Sequence, residues 1–132
     1  MVMKKVLIVD DDSKNIFALS AMLKSKGWET VTATSMQEAM DVLAVTKSIS
    51  IILLDMMMPD MDGYEGLGIF RKDPLLKDFR VIAVTAQAMT GDREKCLAAG
   101  ADEYVSKPID IDRLLNLMNQ FININRGDFV AG

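Results

Sequence analysis

Three short stretches place acidic or hydroxyl residues directly after apolar runs: "VLIVDDD" (6–12), "IILLD" (51–55) and "VIAVT" (81–85). A fourth, "YVSKP" (104–108), adds a lysine ahead of a proline. Asp10, Asp11 and Asp55 are like charges, which repel one another unless a proton or a cation intervenes. Mg²⁺ suits such a set, because it takes oxygen ligands in octahedral geometry while keeping places for water and for a phosphate oxygen. Lys107 offers an ammonium and Thr85 a hydroxyl. Metal and ammonium can neutralise phosphoryl oxygens, a hydroxyl can hydrogen-bond one of them, and a carboxylate can attack phosphorus, so these residue types equip a phosphoryl-transfer site. Taken singly they are ordinary. An aspartate after a strand is commonly a turn or cap residue, and a threonine at a strand end is commonly a strand former. Their joint function depends on whether the fold gathers them.

The runs 6–9, 51–54 and 81–84 are too short for typical helices and rich in β-branched residues, so they read as strands buried on both faces of a parallel sheet. "ETVTAT" (29–34) and "DEYVS" (102–106) alternate polar with apolar residues, which suits edge strands. Helical patterns fill the gaps. Ile16, Leu19 and Leu23 share a face behind a capping Ser13, and Ser35 with Glu38 makes a capping-box signature ahead of Met40 and Leu43. Ile111, Leu114, Leu115, Met118, Phe121 and Ile122 follow helical spacing, while Asp112, Asn116 and Asn119 take the polar face.

Strand alternating with helix five times predicts an α/β fold with right-handed crossovers. The expected form is a flavodoxin-like, doubly wound, five-stranded parallel sheet of order 2-1-3-4-5 with five helices. Ligands in such sheets bind beyond the carboxyl ends of the strands, where the order reverses between the first and third. Asp10, Asp11 and Asp55 should therefore converge there, with Thr85 and Lys107 across the same crevice.

Composition limits the functions available. At 132 residues the chain suits one domain, here expected over residues 1–124 with a short frayed tail at 125–132 that contains a chance "RGD". There is no histidine, which excludes catalysis built on a histidine base and metal sites of the His-rich kind. A net charge of -4 with scattered Lys and Arg argues against a nucleic-acid-binding face. No apolar run approaches the roughly 18 to 20 residues needed to cross a bilayer, so a cytoplasmic location away from membranes is expected. Cys96 cannot form an internal disulfide and reads as a small buried thiol.

In family order and at family spacing, "VLIVDDD", "LLDMMMPDMDG", "VIAVTA" and "YVSKP" strongly resemble the receiver domain of two-component response regulators over nearly the whole chain. The resemblance implies a signalling domain, not an enzyme with its own substrate, although such domains catalyse their own aspartyl phosphorylation and slow dephosphorylation. It makes Asp55 the phosphoacceptor. Asp11, Asp55 and the Met57 backbone carbonyl would be ligands of Mg²⁺ (or Mn²⁺), with Asp10 supporting the metal through water. Thr85 and Lys107 match the phosphate-contacting pair, Ala86 the small residue beside the phosphate, and Tyr104 the aromatic whose rotamer follows phosphorylation. A cis Lys107–Pro108 peptide is implied as well. The implied donor is a sensor histidine kinase or a histidine phosphotransfer protein. The implied output is a downstream protein, or a second copy of the chain, docking on the face of the fourth helix, fifth strand and fifth helix.

Two local features fall outside these motifs. Met56, Met57 and Met58 carry no catalytic chemistry and are expected to cover or pack the acidic turn. Gly66 and Gly68 stand where a third helix is expected, and each glycine costs about 1 kcal/mol relative to alanine in a helix interior, so that helix should be weak.

Overall fold

A computed structural model describes residues 4–122 apart from 47, 60, 75 and 87–89; the expected tail at 125–132 lies outside the described residues. In chain order the elements are β1 (Lys5–Val9), α1 (Ser13–Ser25), β2 (Glu29–Ala33), α2 (Met36–Val45), β3 (Ile51–Asp55), α3 (Gly63–Lys72), β4 (Arg80–Thr85), α4 (Asp92–Ala99), β5 (Glu103–Ser106) and α5 (Ile111–Ile122). The strands pair in parallel in the order β2-β1-β3-β4-β5, as the alternation of patterns predicted.

Side chains alternate between faces along a strand, and that alternation divides the core in two. Val6, Ile8, Ile51, Leu53, Ile82, Val84 and Val105 pack with Leu23, Leu114, Met118 and Phe121, which places α1 and α5 on one face. Leu7, Val9, Ile52, Leu54, Val81 and Ala83 pack with Met36, Ala39, Leu43, Leu67, Phe70 and Cys96, which places α2, α3 and α4 on the other. Leu114, Met118 and Phe121 are the buried stripe of α5, while Asp112, Asn116 and Asn119 are exposed. Cys96 is fully buried, as its helical setting suggested. Among the described residues no helix is long and apolar enough to cross a membrane.

Helix starts depart from the sequence reading in instructive ways. Asp12, not Ser13, caps α1, its carboxylate accepting from the Lys14 and Asn15 amides. Ser35 caps α2 by accepting from the Glu38 amide at 3.1 Å, but the Glu38 carboxylate returns to Thr34 rather than to Ser35. The fifth strand begins at Glu103. Asp102 is occupied instead with a polar staple at the amino end of the sheet, accepting from the Val81 amide at 2.8 Å and from Arg71 at 3.1 Å. Arg71 also donates to the carbonyls of Lys77, Phe79 and Gly100, and so ties the end of α3 to the approaches of β4 and β5. Removing one partner would leave the other's charge partly buried and unpaired, which destabilises the fold.

The glycines of α3 are not equivalent. Gly66 is buried, and a Cβ there would meet Met36 Cγ at 2.9 Å and Met36 Sδ at 2.7 Å, so its lack of a side chain lets α3 close against α2. Gly68 has open space around it. The weakness expected of α3 therefore rests on one glycine, while the other serves packing. Gly68→Ala should raise stability in urea unfolding by about 0.5 to 1 kcal/mol, through helix propensity alone. Gly66→Ala should lower it. Equal effects of the two substitutions would refute the packing role of Gly66.

Candidate functional site

Strand register assembles the site. Val9 pairs with Leu54, so the next residues along, Asp10 and Asp55, stand side by side at the ends of β1 and β3. Ile8 and Leu53, two residues earlier, face α1 and α5, and the same parity carries both aspartates to that side. Val105 of β5 also faces α5, so Lys107, two residues on, shares that parity. Because β4 lies between β3 and β5, Lys107 starts roughly 10 Å from β3, given strand spacings near 4.8 Å. A long four-carbon stem is what such a span requires. Thr85 has the opposite parity, following Val84 by one, and so lies toward α4 with Tyr104, which packs against that half of the core.

The result is a compact charge cluster. Lys107 Nζ lies 3.4 Å from Asp10 Oδ2 and 3.7 Å from Asp55 Oδ2. Asp55 is only 5% exposed and Asp10 7%, while Asp11 is open to solvent. The Asp55 carboxylate also accepts from the Met57 amide at 3.0 Å, and Asp10 accepts from the Asp12 amide at 2.8 Å. Burial pushes the Asp55 carboxyl above its ordinary value of 3.8, an effect that Asp10 reinforces and that the Met57 amide and Lys107 oppose.

The donor set fits a hard divalent cation. One carboxylate oxygen from each of Asp10, Asp11 and Asp55 lies within 4.8 Å of the others. Ligands bound to one Mg²⁺ at about 2.1 Å can stand no more than about 4.2 Å apart, so a small side-chain rotation brings these oxygens together. The site opens into a cleft of about 280 Å³ between α1 and the Lys107–Ile109 segment, floored by Ile8, Leu53 and Val84.

A family model for the response regulator receiver domain matches residues 6–119. The chain belongs to that family. The receiver is 34% identical over 119 residues to the polar-differentiation response regulator DivK of Brucella ovis, covering 90% of this chain and 96% of DivK. Among solved structures it is similar to the receiver domain of Francisella response regulator 1452, with a TM-score of 0.82, 31% identity and coverage of 91% and 97% of the two chains. It is also similar to the receiver domain of the Pseudomonas aeruginosa sensor histidine kinase PA1611, with a TM-score of 0.82, 30% identity and coverage of 92% and 99%. That structure carries a magnesium ion coordinated in its active-site cleft.

In this receiver the remaining sequence-predicted residues belong to β4, β5 and the segments that follow β3, β4 and β5. Thr85 is buried at the last position of β4, and its carbonyl accepts from the Lys107 amide at 2.8 Å. Ala86 is exposed beside it, Tyr104 is half-buried, and the Lys107–Pro108 peptide is cis. Met56 and Met58 are buried in the core, whereas Met57 is 50% exposed, so two of the three methionines serve packing.

One residue escaped the sequence reading. A Cβ on Gly63 would lie 2.8 Å from Met56 Cα and 3.1 Å from the Asp55 carbonyl oxygen, so only glycine lets α3 begin this close to the phosphoacceptor candidate. The Gly63 amide donates to the Met56 carbonyl at 3.2 Å, and Asp62 caps the helix through the Glu65 amide at 2.9 Å. An Asp-Gly pair just ahead of a helical pattern was the available signal.

The raised Asp55 pKa has a stability consequence. The unfolded chain releases this proton at lower pH than the folded one, so stability falls as pH rises through the interval above 3.8. Asp55→Asn removes that loss. In chelator the variant should be more stable than the parent at about pH 7, and the gap should shrink toward about pH 4 in thermal unfolding. A gap independent of pH would refute burial of the charge as its cause.

Proposed function

We propose that residues 1–124 form a phospho-accepting receiver of a two-component phosphorelay, in which Asp55 takes a phosphoryl group from a phosphohistidine of a sensor histidine kinase or histidine phosphotransfer protein. The observation that carries this reading is the placement of Lys107 within 4 Å of both Asp10 and Asp55, at the rim where the carboxylates of β1 and β3 meet. An Asp55 oxygen attacks phosphorus, the P–N bond to imidazole breaks, and the imidazole leaves with a proton. Lys107 is positioned to follow the negative charge as it moves onto the phosphoryl oxygens. Thr85 supplies a hydroxyl to one of those oxygens, and the small Ala86 leaves room beside them. Mg²⁺ or Mn²⁺, held by Asp11, Asp55 and the Met57 carbonyl with Asp10 in support, would neutralise the carboxylates and the incoming charge. The cleft of about 280 Å³ supports entry of a donor side chain, since cavities near 150 Å³ already hold a benzene ring.

The donor lies outside residues 1–132, which contain no histidine. The output follows from Thr85. A phosphoryl group gives its hydroxyl a charge-assisted acceptor worth roughly 1.5 to 3 kcal/mol, and Thr85 moving toward it frees space for Tyr104 to turn inward. That reshapes the α4, β5 and α5 face for a downstream protein or a second copy of the chain. The proposed setting is the cytoplasm.

Acetyl phosphate with Mg²⁺ should label the parent with an acid-stable, base-labile phosphate. Chelator or Asp55→Asn should abolish the label, and ATP alone should produce none. Full labelling of Asp55→Asn would overturn the assignment of the phosphoacceptor. Thr85→Ala should still be labelled, yet lose the response of the Tyr104 amide to beryllofluoride, a stable mimic of the acyl phosphate. An unchanged Tyr104 response in that variant would break the proposed link from Thr85 to the output face.

A further inference from the structure

We propose that Tyr64 is a positioning residue that couples the Asp55 turn to α4 through the first turn of α3, along a route separate from Thr85 and Tyr104. This rests on Asp55 being the phosphoacceptor and concerns how the same site is read out.

The route begins at Gly63. Its amide donates to the Met56 carbonyl at 3.2 Å, and a Cβ at this position would lie 2.8 Å from Met56 Cα and 3.1 Å from the Asp55 carbonyl oxygen, so α3 starts directly against the end of β3. Met56 is itself fully buried and donates to the Val84 carbonyl at 2.9 Å, so the turn cannot relax by swinging that residue into solvent. A shift of the backbone at Asp55–Met57, where metal and phosphoryl group would bind, therefore passes to the next residue, Tyr64.

Tyr64 holds α4 at two adjacent points. Its hydroxyl lies 3.8 Å from the Cys96 sulfur, and the Lys95 ammonium stands 4.4 Å from the centroid of its ring. Both distances fall within the range of favourable contact for a sulfur partner and for a cation over a ring. Burial and the neighbouring thiol push the Tyr64 hydroxyl up to about 12, so it keeps its proton and can donate. The helix is 8 residues long, begins at Gly91 without a side-chain cap, and is also held by the Arg93–Glu103 pair at 3.1 Å and by Cys96 in the core. Tyr64 thus links the first turn of α3 to the buried cysteine of α4.

The test compares Tyr64→Leu, Tyr64→Phe and Lys95→Gln with the parent by amide spectra, with and without beryllofluoride and Mg²⁺. In Tyr64→Leu the mimic-induced shifts of α4 amides should fall by about half or more, while shifts at Tyr104 persist. Tyr64→Phe, which keeps the ring, and Lys95→Gln, which keeps the hydroxyl contact, should each lose less. Labelling by acetyl phosphate should continue in all three, because none of these residues touches the acidic site. Tyr64→Leu amides of α4 that move as in the parent would overturn the coupling alone. Parent amides at Asp55 and Met57 that ignore the mimic would overturn the phosphoacceptor reading instead. The half-exposed setting of Tyr64 favours folded variants, and Tyr64→Phe decides the hydroxyl's share even if Tyr64→Leu unfolds.

Discussion

Holding Asp10 and Asp55 next to one another, almost out of water, is the constraint on which this molecule is organised. Burial there, and after it the neighbouring Asp10, disfavour the charged form of Asp55. Two features offset this: the amide of Met57 and the ammonium of Lys107. Neither removes the imbalance, as the raised Asp55 pKa records. A residual negative potential at a rim with an open cleft is what would attract a cation and then a phosphoryl group.

The rest of the fold separates that cluster from the parts that stabilise the chain. At the carboxyl end of the sheet stand the aspartates, Thr85 and the Lys107–Pro108 segment. At the amino end, Arg71 and Asp102 bind together the end of α3, the start of β4 and the approach to β5. Between them lie residues such as Ile52, Leu54, Val81 and Ile82, with no exposed surface. A close-packed middle, with the Arg71–Asp102 staple at the opposite end of the sheet from the aspartates, holds the strands that aim them.

Strand parity gives the site two distinct sides. Asp10, Asp55 and Lys107 turn toward α1 and α5, where the cleft lies, while Thr85 and Tyr104 turn toward α4. The cleft and the Thr85–Tyr104 side thereby lie on opposite faces of one sheet. The Gly63–Tyr64 turn belongs to the second side but begins at the backbone of the first, which makes α3 more than a covering helix.

Much of this was legible in the residues themselves. Short β-branched runs ending in Asp10, Asp55 and Thr85 determined the strands and their chemical ends, because a buried parallel strand can carry polar groups only where it leaves the core. Helical spacing likewise marked the buried stripe of α5. Tertiary structure decided what one-dimensional patterns do not contain. Register set Asp10 beside Asp55, and sheet order placed Lys107 a full strand away from Asp55, so that its length mattered. Asp12 rather than Ser13 became the cap of α1, a choice between adjacent acceptors that depends on the local backbone path. Gly63 and Gly66 showed the sharpest limit. A glycine in sequence is a loss of helix propensity, and only the neighbouring Met56 and Met36 reveal that the missing side chain is the space another residue fills.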